Sequence, residues 1–268
     1  MGGGQERAGA AGARAARITV IIPTLDEAEN IGACLAALDG QEGPVEIIVV
    51  DGGSGDGTVS IAVRSPGVRV VHAPRGRGAQ MNAGAAMASG EILWFVHADC
   101  RPPAGGATAI RRALACDGVI GGAFRFVLAD RGWGYRVVEW GVRLRCRLFH
   151  LPYGDQGIFL RRALFEELGG YRETPILEDL CVVRALRRRG RVVTLPEAMP
   201  TSPRRYAHDG LLRTVVRHQI LMLAAWLGGS PDRLACWRES ALMPSDVGAG
   251  LSPARLARRI VGRIHGRG

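Results

Sequence analysis

The stretch "ITVIIPTLDEAEN" (residues 18–30) contains the unit from which the fold is built. Its first five residues are all β-branched, which is typical of a parallel strand that is covered on both faces. The segment "AENIGACLAALDG" that follows places Ile31, Leu35 and Leu38 on one helical face and ends at Gly40, a helix-capping residue type. A buried strand followed by a helix indicates an α/β protein.

The same alternation continues through the first hundred residues. Continuous apolar runs recur at residues 45–50, 68–73 and 91–98, and an Ala-rich segment at 76–90 predicts a helix that closes at Gly90. The pattern predicts an α/β fold with a Rossmann-like, doubly wound, mostly parallel sheet and helices on both faces. Ligands bind such sheets at the carboxyl ends of the strands. The candidate binding residues therefore lie at 23–27, 51–58, 75–80 and 97–99.

The second half of the chain has a more mixed pattern. It predicts strands at 118–127 and 191–196, an amphipathic helix with a basic side at 132–150, a strand, helix and glycine turn within 154–171, and a helix at 176–190. A strongly apolar helix is predicted at 209–229. It is too short and too charged to span a bilayer, so it could pack on the core or lie on a membrane.

The composition excludes two kinds of chemistry. The 268 residues carry a formal net charge of +10, and all 35 basic residues are Arg. Without Lys the chain has neither a P-loop nor a Schiff-base amine. The Arg excess fits nucleotide diphosphates, phosphorylated acceptors or an acidic membrane surface, although a basic surface can also serve solubility alone. Six Cys without a C-x-x-C pair indicate reduced thiols in a cytosolic protein.

A glycine-rich segment allows two interpretations. "VVDGGSGDGT" (49–58) places Asp51, Gly53, Gly55 and Gly57 after a strand, and this resembles the first motif of S-adenosylmethionine-dependent methyltransferases. It equally suits any site where the backbone approaches a nucleotide, because Gly has no Cβ. The motif follows the second strand, whereas methyltransferases usually carry it after the first. A methyltransferase remains the alternative function.

Four motifs in order resemble family 2 glycosyltransferases. They are "VIIPTLDEAENI" (20–31), "VVDGGSGDGT" (49–58), "RGRGAQMNAGAAMASGEILWFVHAD" (75–99) and "LEDLCVVRAL" (177–186). The resemblance covers about residues 17–235. It implies a GT-A fold and the transfer of a hexosyl group from a nucleotide-sugar with inversion. "YGDQGIFLRR" and "SPRRY" further resemble a bacterial subgroup described as radical-SAM/selenodomain-associated or arsenosugar-biosynthesis glycosyltransferases.

The resemblance also implies a donor pocket. Pro23, Thr24 and Glu27 would begin the base and ribose pocket. Asp51 would accept a hydrogen bond from uracil N3–H, and this bond favours a UDP-sugar as donor. Asp51 could instead be a turn or capping residue. Arg75 and the other Arg residues would face the diphosphate or, alternatively, solvent. The residues assigned to the donor are Pro23, Thr24, Glu27, Asp51, Gly52, Gly53, Arg75, Arg77, Gly78, Asn82, His97, Ala98, Arg204 and Arg205.

A metal site is implied at "VHADC" (96–100), where the family usually carries Asp-x-Asp. Asp99 is a hard oxygen ligand for Mn²⁺ or Mg²⁺ on the diphosphate. The first Asp is replaced by His97, which could bind Mn²⁺, contact the ribose or phosphate, or be structural.

The general base that inversion requires is assigned to Asp179 in "LEDL", with Glu178 beside it. Both acids could instead favour a helix N-terminus. Asp155 in "YGDQG" is a second candidate for base or acceptor contact. Four aromatic residues between the metal and base motifs could line an acceptor pocket or pack in the core: Trp133, Tyr135, Trp140 and Tyr153.

The expected organisation has three parts. Residues 1–16 are a flexible N-terminal extension that lacks the apolar segment of a secretory signal. Residues 17–238 are one GT-A domain, with a nucleotide-binding half (17–100) and an acceptor-binding half (101–238). Residues 239–268 are a basic, loosely ordered tail. The expected acceptor is a small molecule or a lipid-linked one, without nucleic acid, and the expected location is the cytoplasm or the inner face of its membrane. A non-catalytic nucleotide-binding protein on the same fold is a further alternative.

Overall fold

The computed structural model describes residues 15–130, 132–174, 177–204, 210, 211 and 215. The expected N-terminal extension, apart from its last two residues, and the whole basic tail lie outside the described residues. So does the predicted apolar helix at 209–229, except for three of its residues.

Strands and helices alternate along the described chain. The strands are β1 (Ile18–Thr24), β2 (Val45–Asp51), β3 (Val68–His72), β4 (Ile92–Phe95), β5 (Val119–Leu128), β6 (Phe159–Arg161) and β7 (Arg191–Thr201). The helices are α1 (Ala28–Leu38), α2 (Thr58–Arg64), α3 (Arg77–Ala86), α4 (Gly106–Leu114), α5 (Trp133–Phe149), α6 (Arg162–Glu167) and α7 (Glu178–Arg187), and a 3₁₀ turn covers Gly154–Gln156.

The strands form a seven-stranded sheet in the order β3-β2-β1-β4-β6-β5-β7. β1 is parallel to both β2 and β4, and β2 is parallel to β3. β6 is antiparallel to both of its neighbours, β4 and β5, and β7 is parallel to β5. The prediction of a mostly parallel sheet is confirmed.

Both faces of the sheet are covered, which explains the continuous apolar runs. Alternate residues of β1 enter two different clusters: Ile18, Val20 and Ile22 pack in one, and Ile21 packs in the other. Helices α1, α2 and α4 supply residues to the first cluster, and α3, α6 and α7 supply residues to the second. A strand buried on both sides has no polar face, so its sequence does not alternate.

Helix α1 follows its prediction closely. Ile31, Leu35 and Leu38 are buried on one face. Gly40 adopts φ +74°, the left-handed conformation that ends many helices.

Three predicted boundaries are wrong. The helix predicted to close at Gly90 ends at Ala86, because Gly90 instead lies against β1, where its N–H donates to Thr19 Oγ1 at 2.9 Å. β4 ends at Phe95 rather than at residue 98, because the chain turns there and Cys100 N donates to His97 O at 3.0 Å. β7 continues to Thr201, since a register shift opposite Phe124 and Arg125 accommodates Pro196 within the strand.

No helix among the described segments combines the length and the apolar character that crossing a bilayer requires.

Candidate active site

The carboxyl ends of β1 and β2 carry two loops that are bonded to each other. Asp26 N donates to Ser54 Oγ at 3.0 Å, and Gly55 N donates to Asp26 Oδ1 at 2.8 Å. Glu27 N donates to Thr58 Oγ1 at 2.8 Å. Asp26 holds a left-handed φ of +53°, a conformation that Asp tolerates better than most residues. These bonds fix the floor of the predicted base and ribose pocket.

Asp51 ends β2 and is almost fully buried. Its Oδ2 accepts hydrogen bonds from the backbone N–H groups of Gly53 and Ser54, at 2.9 and 3.0 Å, and its Oδ1 accepts one from the Ser54 hydroxyl. Burial opposes ionisation of Asp51, but the bonds from Ser54 and Gly53 outweigh it and hold the pKa of this carboxyl below its ordinary value. The side chain is therefore an ionised acceptor that also shapes its own loop.

Gln80 of α3 ties the two strand ends together. Its Nε2 donates to Thr24 O at 2.7 Å and to Val50 O at 2.8 Å. Gly52 lies against this amide, because a Cβ at Gly52 would be 3.1 Å from Gln80 Cδ. Pro23 and Thr24 are buried within β1. Pro23, Thr24 and Gly52 thus form a rigid wall behind Asp51.

Glu27 is joined to a residue far along the chain. Arg204 Nη2 donates to both carboxylate oxygens of Glu27 at 3.0 Å, and Arg204 also lies 3.8 Å from Glu29. Asn30 Nδ2 donates to Glu27 Oε2 at 2.9 Å. The structure therefore brings Arg204 to the predicted ribose pocket; Arg205 lies outside the described residues.

The start of α3 faces the start of α7. Arg77, the first residue of α3, has its Nη1 3.8 Å from Glu178 Oε1, and Glu178 is buried. Gly78 allows a close approach, since a Cβ there would lie 2.6 Å from Arg172 O. Arg75 is exposed two residues earlier. Cations and a helix N-terminus thus lie beside the predicted acids, an arrangement suited to anionic phosphate.

Asn82 of α3 binds the backbone of Tyr171 through both ends of its side-chain amide. Its Nδ2 donates to Tyr171 O at 2.9 Å, and its Oδ1 accepts from Tyr171 N at 2.8 Å. Both ends of the amide therefore hold the backbone of the segment that precedes α7.

The loop at residues 97–101 is fixed against the end of β7. Ser202 N donates to Asp99 O at 3.0 Å, and Arg101 N donates to Pro200 O at 2.7 Å. The side chain of Ala98 is buried in the first core cluster, so it holds the loop from below. His97 and Asp99 remain partly accessible on either side of it.

Asp179, Asp155 and His97 converge on the 3₁₀ turn. Gly154 N donates to Asp179 Oδ2 at 3.1 Å, and a Cβ at Gly154 would lie 2.7 Å from both Asp179 Cγ and His97 Nε2. Asp155 O accepts from Thr201 Oγ1 at 3.2 Å and from Cys100 Sγ at 3.5 Å. The two predicted base candidates and the loop of the predicted metal site therefore meet at one glycine.

Asp179 has a strongly perturbed environment. Its Oδ1 is shut off from solvent and accepts no hydrogen bond from the described residues, although part of the residue remains accessible. Burial first, and then the neighbouring charge of Glu178, raise the pKa of Asp179 to about 8. Arg77 opposes the shift, and Asp155 adds to it. A carboxyl tuned towards neutral pH is suited to proton transfer.

The donor set fits a cation that is shared with a ligand. Within the part of the chain that the structure describes, no three His, Cys, Asp or Glu side chains are grouped as a metal cage. Mg²⁺ and Mn²⁺ at phosphate sites are commonly held by one or two carboxylates, with phosphate and water completing the shell. Asp99, with His97 beside it, supplies that kind of incomplete protein shell.

Sequence reasoning missed three residues at this junction: Gly154, Gln156 and Tyr171. Gln156 is buried; its Nε2 donates to Phe124 O at 2.9 Å and its Oε1 accepts from Tyr153 N at 3.1 Å, which locks the 3₁₀ turn. Tyr171 is fully buried against Phe95, and burial raises the pKa of its hydroxyl well above the ordinary value. Glycine and glutamine in "YGDQG" carry no periodic signal, so only the folded contacts reveal them.

The predicted aromatic residues separate into two groups. Trp133 and Trp140 are exposed on α5. Tyr135 on the same helix is half-buried, and Tyr153 is mostly buried beside the 3₁₀ turn, with Arg145 Cζ 3.5 Å from its ring centroid. The five described cysteines are free thiols. Burial raises the pKa of Cys34 to about 12 and that of Cys100 well above its ordinary value, so neither thiol is a nucleophile at neutral pH.

Gly154→Ala is expected to damage the site. The added Cβ would overlap Asp179 and His97, which we expect to lower stability by about 1–3 kcal/mol. Displacement of Asp179 from its place should lower the turnover rate of the enzyme by about 100-fold. Gly141→Ala on α5 is the matched control, because a Cβ there meets nothing within 4 Å. Thermal unfolding measures the loss of stability, and the turnover rate measures the loss of activity. If Gly154→Ala and Gly141→Ala have the same unfolding temperature and the same turnover rate, the junction accommodates the added Cβ.

Comparison with known proteins identifies the family. The family model described as "Glycosyl transferase family 2" matches residues 19–169, which is more than half of the chain. The chain belongs to glycosyl transferase family 2. The match contains the loops around Asp51, the Asp99 loop and the 3₁₀ turn, so these parts of the site lie within the family's domain. A glycosyltransferase, and not the alternative methyltransferase, is the class of enzyme that this family defines.

Curated relatives agree with this assignment. The glycosyltransferase AglE of Haloferax volcanii is 39% identical over 94 residues, covering 32% of this chain and 31% of that protein. An uncharacterized glycosyltransferase of Mycobacterium tuberculosis is 32% identical over 156 residues, covering 56% of this chain and 70% of that protein. The chain thus spans about a third of the length of the archaeal relative.

Solved structures share the fold. The mannosyltransferase PcManGT from Pyrobaculum calidifontis, in complex with GDP-Man and Mn²⁺, has a TM-score of 0.57 at 22% identity and covers 93% of this chain and 70% of its own. Glucosyl-3-phosphoglycerate synthase from Mycobacterium tuberculosis, in complex with Mn²⁺, UDP and glucosyl-3-phosphoglycerate, has a TM-score of 0.54 at 21% identity and covers 69% and 72%. The glycosyltransferase fold of the chain, GT-A, is thereby confirmed.

Proposed function

We propose that this family 2 glycosyltransferase transfers a hexosyl group from a UDP-sugar with inversion, with Asp179 as general base and a divalent cation at Asp99. The observation that carries the proposal is the junction at Gly154. There, a buried carboxyl with a pKa raised to about 8 lies beside the loop that presents Asp99. A base and an anion-binding edge at one place are what displacement at a sugar carbon requires.

The donor end of the site supports a nucleotide diphosphate. Asp51 is held ionised and is an acceptor only, so it fits a base that donates a ring N–H. Uracil and guanine both do so, whereas cytosine does not. Glu27 offers a carboxylate where ribose hydroxyls would donate. Arg75, Arg77 and Arg204 would face the phosphates: Arg77 lies 3.8 Å from Glu178, Arg204 is bonded to Glu27, and Arg75 is exposed two residues before Arg77. We propose uracil because the family motif carries this Asp at the uracil edge.

The metal has a defined role in this proposal. Asp99 would hold Mn²⁺ or Mg²⁺, with His97 as a second ligand or as a contact to the ribose or phosphate, and the relatives of similar fold are complexes with these ions. A bound cation would neutralise the charge that develops on the departing diphosphate.

The residues of the chain supply the remaining chemistry. The Asp179 carboxylate takes the proton of the acceptor hydroxyl. The acceptor oxygen then bonds to the anomeric carbon from the face opposite the diphosphate, the bond from that carbon to the diphosphate oxygen breaks, and UDP leaves with the bonding electrons. Oδ1 of Asp179 is shut off from solvent, which limits access of competing water to that oxygen.

The anomeric configuration of the product tests inversion. Purified protein should be incubated with a panel of UDP- and GDP-hexoses and candidate acceptors in Mn²⁺, and the product should be analysed by NMR. Transfer from UDP-hexoses with inverted configuration supports the proposal. Retained configuration, or transfer from GDP-hexoses alone, contradicts it. Tight UDP binding without transfer to any acceptor would favour the non-catalytic alternative.

The pH dependence of kcat/KM should show an acid limb set by Asp179. A base must be deprotonated to act, so activity should rise about tenfold per pH unit below the pKa and level off above it. The limb should lie near pH 8 in the free protein, and the charge of a bound cation would move it to lower pH.

Two neighbouring charges allow a sharp test of this assignment. Glu178→Gln removes the largest charge that raises the pKa of Asp179, so the limb should move to lower pH; Arg77→Gln removes a charge that lowers this pKa, so the limb should move to higher pH. Initial rates from pH 5.5 to 9.5 measure both. Shifts in the same direction in the two variants would show that another group titrates.

Three segments of the sequence bear on the acceptor. The "YGDQGIFLRR" and "SPRRY" segments support membership of the arsenosugar-type subgroup, whose acceptors would be small molecules. The apolar residues at 209–229 support a lipid-linked acceptor instead. We propose a cytoplasmic location, with the enzyme acting on either class of acceptor, and the panel of acceptors above separates the two.

A further inference from the structure

Helix α5 carries an exposed apolar stripe. Trp133, Val137, Trp140, Leu144 and Leu148 recur at intervals of three or four residues, and all five are exposed, Trp133 at 81%, Trp140 at 62% and Leu148 at 60%. At 3.6 residues per turn they span an arc of only about 80°. We call these five residues the α5 stripe.

The inner side of α5 attaches the helix to the domain. Leu128 N donates to Glu139 Oε1 at 2.8 Å, and Cys146 is buried. Arg145 Nε donates to Leu151 O at 3.0 Å. The inner side also carries Val138 and Val142, which are half-buried, so α5 is apolar towards the domain as well as along the α5 stripe. The α5 stripe is therefore a second apolar face, in addition to the one that packs on the domain.

A row of arginines borders the α5 stripe. Arg136, Arg143 and Arg147 are exposed along one edge of it, and none forms an ion pair with a described residue. The acidic residue of α5, Glu139, is occupied by Leu128 N on the other side. The outer face of α5 is therefore apolar and cationic without acidic residues.

A cavity of about 480 Å³ opens beside this row, between α5 and β7. Arg125, Arg143, Arg147, Arg191 and His150 line it together with apolar residues such as Phe126, Val142 and Val192. Among the described residues, no acidic side chain lines it. A concave site of this kind suits phosphate-bearing groups, to which Arg donates paired hydrogen bonds.

We propose that the outer face of α5 docks the protein on an anionic membrane surface. The α5 stripe would enter the boundary between headgroups and acyl chains, where Trp side chains are favoured. The Arg row and the basic cavity would bind lipid phosphates. This combination of Trp and Leu on one face with Arg beside it is the pattern of helices that lie in the membrane interface. The proposal rests on α5 and the cavity beside it and does not depend on the proposed function.

Docking by α5 fixes the orientation of the candidate site. The helix leads through Leu151 into the 3₁₀ turn that carries Asp155, and both Arg145 Nη2 and Cys146 Sγ contact Gln156 Oε1, at 3.2 and 3.4 Å. The turn at which the acids converge is therefore bonded directly to the docking helix. A lipid-linked acceptor would meet the site at the membrane surface.

Vesicle flotation with the full chain tests the proposal. Vesicles of phosphatidylcholine alone and of phosphatidylcholine with phosphatidylglycerol are compared at low and high salt. We expect binding to the anionic vesicles, weakened by salt. Trp133→Ser with Trp140→Ser removes the aromatic anchors, and Arg136→Gln with Arg143→Gln and Arg147→Gln removes the Arg row. Each set should weaken binding about tenfold or more.

Matched controls separate this face from general charge. Arg64→Gln with Arg69→Gln and Arg112→Gln removes the same charge from exposed positions on α2, β3 and α4 and should bind as the wild type does. Thermal unfolding and circular dichroism check that each variant is folded. Equal flotation of the stripe variant and the wild type would overturn the proposal. An absence of wild-type binding to the anionic vesicles would also overturn it. If the wild type is then a dimer that the Trp substitutions dissociate, the face joins two copies of the chain.

Discussion

Asp179→Asn is expected to lower sugar transfer by about 10²- to 10⁴-fold, the contribution of a positioned general base. The amide cannot accept the acceptor's proton, yet it has nearly the same shape, and its oxygen can still accept from Gly154 N. UDP binding should therefore be unchanged. Steady-state kinetics and calorimetric titration with UDP in Mn²⁺ measure the two quantities separately.

Stability should move in the opposite direction from activity. A carboxyl whose pKa is raised in the folded state destabilises the fold as it ionises, so wild-type stability should fall as pH rises from about 4 towards 8. Asp179→Asn removes this loss and should be at least as stable as the wild type at pH 8. Chemical unfolding at pH 5, 7 and 8.5 measures the difference.

Asp155→Asn is the comparison that decides between the two base candidates. If Asp179 is the base, Asp155→Asn should keep most of the transfer rate and shift the acid limb to lower pH, because Asp155 raises the pKa of Asp179. An active Asp179→Asn protein together with an inactive Asp155→Asn protein would move the role of base to Asp155.

Asp99→Asn is expected to remove the dependence of UDP binding on Mn²⁺ and to lower transfer by about 100-fold or more. An amide oxygen is a weaker ligand for a hard cation than a carboxylate, and the described residues offer no group of three metal-binding side chains that could replace it. Calorimetric titration with UDP in the presence and absence of Mn²⁺ measures the coupling. In the variant the two titrations should coincide.

His97→Ala tests the exchanged position in the same experiment. If His97 binds the metal, the coupling between UDP and Mn²⁺ should weaken, and more so for Mn²⁺ than for Mg²⁺, which accepts nitrogen ligands poorly. If His97 only contacts the ligand, UDP binding should weaken equally with either ion. If UDP binding by Asp99→Asn depends on Mn²⁺ as strongly as it does in the wild type, the metal is not held by this loop.

The strands of the first half could be predicted because short local runs of β-branched and apolar residues are enough to indicate a strand that is buried on both faces. Five β-branched residues at 18–22 can be explained only by a strand covered on both faces, and the structure places them so. β6 is different: it has three residues, and it pairs with β4 and β5 through contacts made far along the chain. No local pattern specifies the antiparallel insertion of such a strand.

The site shows the same division. Asp51, Asp99 and Asp179 stand at the ends of periodic segments, so motif and topology find them. Gly154 cannot be found in this way, because its importance is the space that it leaves between residues on two other segments. Arg204 was assigned to the diphosphate, and its pairing with Glu27 emerges only when the chain is folded. Distant contacts of this kind are decided by packing rather than by propensity.

The position of β6 in the sheet has a consequence for synthesis of the protein. β4 is entirely buried in the finished fold, and its second edge is closed by β6, whose last residue, Arg161, pairs with Ile92. A ribosome releases β1 to β4 well before it releases Arg161. During that interval the nascent first half of the sheet presents an apolar strand with an open edge, the feature that promotes intermolecular pairing. Fragments that stop before β6 should aggregate, and the growing chain is most in need of chaperones at this stage.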